Sequence, residues 1–104
     1  MLNDKEYEEF LNRTLVLIEN AVNFLKRNKH IIAYNKMIGV YNKLDGLEEE
    51  YKTSLGIEMI KNRSVIYYLK EGRYEDAKKS LTELKNNLYK KYEIIKKKNE
   101  NNTN

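Results

Sequence analysis

The chain contains no cysteine, no proline, no tryptophan and no glutamine, one histidine and four glycines. Without cysteine, disulfides, thiolate metal sites and a Cys nucleophile are all excluded within these 104 residues. A structural zinc site needs about four ligands drawn from Cys, His and carboxylates, and His30 alone does not anchor one. The glycines are isolated, so no phosphate-cradling loop is present. Ser54, Ser64 and Ser80 lack the surroundings of a nucleophile elbow. The expectation is a non-enzymatic protein without a cofactor. No apolar run approaches the roughly 18 residues of a membrane span. The N-terminal stretch MLNDKEYEEFLN is acidic and lacks the basic and apolar regions of a signal peptide. The expected setting is therefore cytoplasmic, without a membrane partner. Lys, Asn, Ile and Tyr are abundant, which reads as a coding bias rather than heat adaptation, since thermophiles shed Asn.

What is present is helical periodicity. Leu11, Leu15, Ile18, Val22 and Leu25 recur at steps of four and three, flanked by Phe10, Leu17 and Phe24. Asn3 or Asp4 is the expected N-cap, and Asn28 the expected stop. A second helix is expected over about 29–51, with a boundary available at Asp45-Gly46. After a link at 52–54, capped by Ser54, a third runs from about Leu55 to Glu71. A fourth begins near Arg73 along Tyr74, Ala77, Leu81, Leu84, Leu88 and Ile95. The fold class is all-α, with four antiparallel helices forming two hairpins over about 4–51 and 54–98, in one domain spanning 1–98. Residues 99–104 read as a disordered polar tail.

Tyr68, Gly72, Tyr74, Ala77 and Leu81 follow the spacing of a helix-turn-helix unit. Gly accepts a tight helix end and Ala permits close helix approach. This pattern, best over residues 58–91, resembles the tetratricopeptide repeat. It departs at Val65, Lys61 and Tyr89, where the family places a small residue, a large one and a proline. An offset of 44 residues relates two copies: Leu11 falls on Leu55, Leu25 on Leu69, Asn28 on Gly72, Ala33 on Ala77 and Leu44 on Leu88. Two hairpins are fewer than the three or so repeats of a stable solenoid. A closed four-helix bundle, or pairing with another copy, is the alternative to an open array.

The resemblance implies a peptide or helix of a partner protein held in a groove shared by the first helices of the two hairpins. The candidate residues are Asn20, Asn23, Arg27, Arg63, Tyr67 and Lys70. The charge pattern offers a second reading. Lys29, Lys36 and Lys43 recur every seven residues on one helix face. Lys90, Lys91 and Lys97 cluster near the end of the fourth helix. Such stripes suit nucleic-acid phosphates, although pI 9.1 lies only at the edge of that class. A third reading is a purely structural homodimer. Arg27 to Tyr34 resembles in part the Arg-Asn…His…Tyr stretch of HEPN-type ribonucleases, but only two residues separate Arg27 from His30. That spacing rotates the pair away from the family's arrangement.

Overall fold

The computed structural model describes residues 2–101 and is all-helical. The helices are α1 (Asp4–Lys26), α2 (His30–Asp45), α3 (Glu49–Ser54), α4 (Gly56–Lys70) and α5 (Tyr74–Asn101). α1 begins with a capping box. The Asn3 side chain accepts from the Glu6 amide at 2.9 Å, and Glu6 reaches back to the Asn3 amide at 3.4 Å. It ends at Asn28, whose φ of 60° is left-handed. There the Lys29 amide donates to Phe24 O at 2.9 Å and the Asn28 amide to Leu25 O at 3.0 Å. This is a Schellman stop. Forty-four residues on, Gly72 (φ 73°) repeats it: Arg73 donates to Tyr68 O and Gly72 to Leu69 O.

The buried residues follow the same offset. Glu58, Asn62, Val65 and Leu69 of α4 correspond to the buried Thr14, Ile18, Ala21 and Leu25 of α1. Ala33, Met37, Val40 and Leu44 of α2 correspond to the buried Ala77, Leu81, Leu84 and Leu88 of α5. Two counterpart pairs also touch each other. Tyr7 stacks on Tyr51 with centroids 4.3 Å apart, and His30 stacks on Tyr74 at 3.5 Å. These stacks place an approximate two-fold axis along the helices.

Five helices form where four were expected, and the repeat accounts for the fifth. Shifted by 44, α1 covers residues 48–70, so α3 and α4 together are its counterpart, interrupted at Leu55. The second helix stops at Asp45 rather than near residue 51. Carboxylates Asp45 and Glu48–Glu50 oppose the dipole at the end of a long helix but favour the first turn of a new one. Gly46 lowers the cost of breaking there. Ser54 is not an N-cap. Its hydroxyl donates back to Tyr51 O at 2.8 Å, and its carbonyl accepts from Lys91. The expected polar tail is helical through Asn101. Asn99 donates to Asp4 O at 3.2 Å and to Glu8 Oε1 at 2.8 Å, which docks this turn on α1. Residues 102–104 lie outside the described residues.

α1 packs on α2 and α5, and α4 packs on the same two helices. The contact of α1 with α5 closes the ring, leaving α1 and α4 across from each other. The core runs the length of this ring, from Tyr7 and Ile95 at one end to Leu25, Ala33, Leu69 and Ala77 at the other. The short links at 27–29 and 71–73 share one end, called the turn end below.

Candidate functional site

α4 has apolar residues on two sides. Val65 and Leu69 face the core, while Ile57, Ile60 and Tyr67 are exposed. With Ser64, these occupy steps of three, four and three, so they form a second stripe on the outer face. Packing among the described residues does not cover it.

The upper part of this stripe borders a concavity of about 420 Å³ lined by Ile60, Arg63, Ser64, Tyr67, Tyr68 and Arg73. The Schellman turn builds one wall, because its geometry brings together the residues five apart across the glycine, Tyr68 and Arg73. The Arg73 guanidinium lies over the Tyr68 ring, 4.6 Å from its centroid. Asp76 fixes the same guanidinium, accepting from Nε at 2.9 Å and lying 2.8 Å from Nη2. Tyr67 and Tyr68 meet at 5.8 Å with rings tilted by 60°. Ser64 turns its hydroxyl back to Ile60 O at 3.1 Å. Arg63 is exposed and forms no ion pair among the described residues. In the first half its counterpart is Glu19, which pairs with Lys85. The counterpart of Lys85 is Tyr41, so Arg63 faces no corresponding charge.

Of the groove residues expected from sequence, Arg63 and Tyr67 come together here. Lys70 lines a separate hollow of about 220 Å³ with His30, Ile31, Tyr34, Leu69 and Tyr74. Asn20 and Asn23 on α1 and Arg27 at its C-cap are exposed, across the ring from α4. The two sets therefore do not share one groove. Tyr68, Ile60 and Arg73 were not singled out as groove residues. The available signal was the five-residue step across Gly72.

The lysines divide by helix. Lys29, Lys36 and Lys43 are exposed and form no ion pair among the described residues. On α5 several are tied inward: Lys85 to Glu19, Lys91 to Glu58 at 2.7 Å and Lys98 to Asp4 at 2.8 Å. Lys91 also donates to Ser54 O. It holds the interior together and is not a free cation for nucleic acid, whereas Lys90 and Lys97 remain exposed. His30 is half-buried at the first position of α2, against Tyr74.

Among the described residues no group of three His, Cys, Asp or Glu is placed to hold a metal ion. No helix among them is long and apolar enough to cross a membrane. Compared with known proteins, the chain matches no family model, no curated protein and no solved structure.

Proposed function

We propose that this chain is a non-enzymatic protein-binding module, acting in the cytoplasm, that holds a peptide or helix of a partner on the outer face of α4. The scaffold in this reading is two helical hairpins, α1–α2 and α3 to α5, of tetratricopeptide-like design. The observation that carries it is the grouping at one concavity of two large apolar side chains, Ile60 at 63% and Tyr67 at 53% exposure, with Arg63 and Arg73. Exposed apolar area rimmed by cations is the composition of a docking surface rather than of an ordinary solvated face. Tyr and Arg give large contact area and directional donors, and both are enriched among residues that dominate binding energy.

The test is quantitative co-purification of partners from the source cell with the wild-type chain, Arg63→Glu and Tyr67→Ala. Both positions are exposed, so the variants keep the fold. Capture of a partner falls tenfold or more in each, about 1.4 kcal/mol or above, typical for a contributing interface residue. Equal capture by all three chains would count against the site.

The free lysines of α2 favour a second reading, a nucleic-acid-binding subunit working through Lys29, Lys36 and Lys43. It requires a gel shift with RNA or DNA that weakens steeply from about 50 to 200 mM salt. The triple substitution of these lysines by Glu abolishes that shift. No shift at low salt removes this reading.

A further inference from the structure

The two ends of the ring differ in charge. At the turn end, Lys26, Arg27 and Lys29 lie in a stretch, residues 20–44, that contains no carboxylate before Asp45. Lys70, the last residue of α4, adds to them; the other link brings the exposed carboxylate Glu71, while Glu75 and Asp76 at the start of α5 pair with Lys78 and Arg73. At the opposite end α3 presents Glu49 and Glu50, both exposed and without an ion pair among the described residues. Lys52 of the same helix pairs with Asp45 at 3.0 Å, and Lys91 pairs with Glu58. Lys97 stays free at the end of α5, so the acidic surface is confined to the α3 side.

Each end also carries an apolar feature that packing leaves uncovered. Ile57, in the first turn of α4 directly after α3, is 66% exposed, a knob that follows the acidic start of α3 by seven residues. At the turn end Ile31 is 78% exposed and borders the hollow of about 220 Å³ lined by His30, Tyr34, Leu69, Lys70 and Tyr74. Knob and hollow thus lie on different surfaces of one molecule, and their flanking charges are opposite.

We propose that Ile57 of one copy docks in the Ile31–Tyr74 hollow of a second copy, with Glu49 and Glu50 meeting Lys29 and Lys70. A second copy is the occupant because the charge complement of the turn end is present on this chain itself. Turn end against turn end would set Lys26, Arg27, Lys29 and Lys70 against their own copies, and among the described residues only Glu71 is an unpaired carboxylate there to offset them. The contact is heterologous, so each copy keeps a free knob and a free hollow, and association runs head to tail without closing into a dimer. One anchoring side chain and a few exposed ion pairs make a weak contact, populated at high protein concentration and low salt. The proposal shares Ile57 with the outer stripe of α4 but uses none of the residues that line the peptide-binding concavity, and Ile31→Glu, which lies on α2 rather than on α4, separates the two readings.

The experiment is sedimentation velocity on the full chain from about 10 μM to 1 mM, at about 50 and 500 mM salt, a range over which screening shortens several-fold. The weight-average mass rises with concentration past that of a dimer at low salt and returns to the monomer at high salt. Ile57→Lys breaks the knob and Ile31→Glu breaks the hollow. Each variant alone stays monomeric, with an unchanged circular-dichroism spectrum because both side chains are exposed. Mixed, the two form a one-to-one dimer and nothing larger, through the intact knob of one and the intact hollow of the other. A wild-type chain that stays monomeric at low salt overturns the proposal. So does a mass that levels at the dimer, or a mixture that remains monomeric.

Discussion

The first half, α1 and α2, and the second half, α3 to α5, bury residues at the same register and differ in what those residues are. Where the first half has Thr14 and Leu47, the second has Glu58 and Lys91. Where it has Ile18, the second has Asn62, and the stop at Asn28 becomes Gly72. Outside the core the divergence is wider: Val16, Glu19, Asn23 and Phe24 correspond to Ile60, Arg63, Tyr67 and Tyr68. Packing thus constrains which positions are buried more tightly than their chemistry, and outer positions are freer still. The proposed docking surface belongs to one half because it is made of those freer positions.

The ion pair gives the largest expected break. Glu58 is 2% exposed, and among the described residues its Oε2 has no hydrogen-bond partner. Lys91→Leu, which copies Leu47, leaves that carboxylate uncompensated and costs about 3 kcal/mol, at the low end for a broken buried pair because Lys91 is partly exposed. Glu58→Thr with Lys91→Leu copies the first half completely and returns to within about 1 kcal/mol of wild type. Urea unfolding measures both. A double variant as weak as the single one would show that the halves are not interchangeable.

Asn62 comes next. With its amide turned so that the nitrogen faces Met37 O and the oxygen faces Tyr41 N, the orientation that satisfies both groups, it donates to the first at 3.2 Å and accepts from the second at 3.1 Å, two backbone groups of α2 one turn apart. Asn62→Ala costs about 1–2 kcal/mol for two buried hydrogen bonds, and hydrogen exchange at the Tyr41 amide quickens. An unaltered exchange rate would mean that the α2 ladder alone holds that amide.

The stops differ by a similar or smaller amount. Gly72→Ala places a Cβ at φ 73° and costs about 1–2 kcal/mol. Asn28→Gly relieves φ 60° and changes stability by less than about 0.5 kcal/mol. Thermal melts rank the two, and a reversed order would contradict the shared Schellman geometry. Smallest is Gly39→Ala, a gain of about 0.5–1 kcal/mol, since nothing lies within 4 Å of the added Cβ and Ala favours the helix.

The tyrosine stack predicts a pH effect. Burial pushes the Tyr7 hydroxyl above its ordinary value of 10.0, with a hydrogen bond to Ser54 pulling the other way and Glu58 adding to the rise. The folded state thus holds this proton more tightly than the unfolded one. Its contribution is complete below pH 10 and is lost as pH rises through the folded value. Tyr7→Phe flattens the alkaline limb of the stability curve. An identical limb in that variant would assign the loss to other groups.

Much of this was legible in advance for a local reason. Helix stripes, the 44-residue register, both stops and the inward-facing Ala33 and Ala77 depend on spacing along one strand of chain, and both alanines are fully buried. The separate short helix α3 was only partly legible. Leu44, Leu47 and Tyr51 satisfy a continuous helical stripe, against which Asp45-Gly46 and the dipole cost of the acidic run argue for a break. The candidate site was half legible: Arg63 and Tyr67 were found on one helix, while Arg73 reaches them only through the turn.

Sequence alone determined the buried stripes and the two left-handed stops at Asn28 and Gly72, because a 3.6-residue period and a left-handed stop are properties of neighbouring residues. Tertiary structure decided that α1 meets α5, that α1 and α4 face opposite ways, and that Lys91 is consumed inside while Lys36 is left outside. Those outcomes depend on which surfaces meet across dozens of intervening residues, and a repeating pattern of apolar positions is the same for each arrangement that buries it.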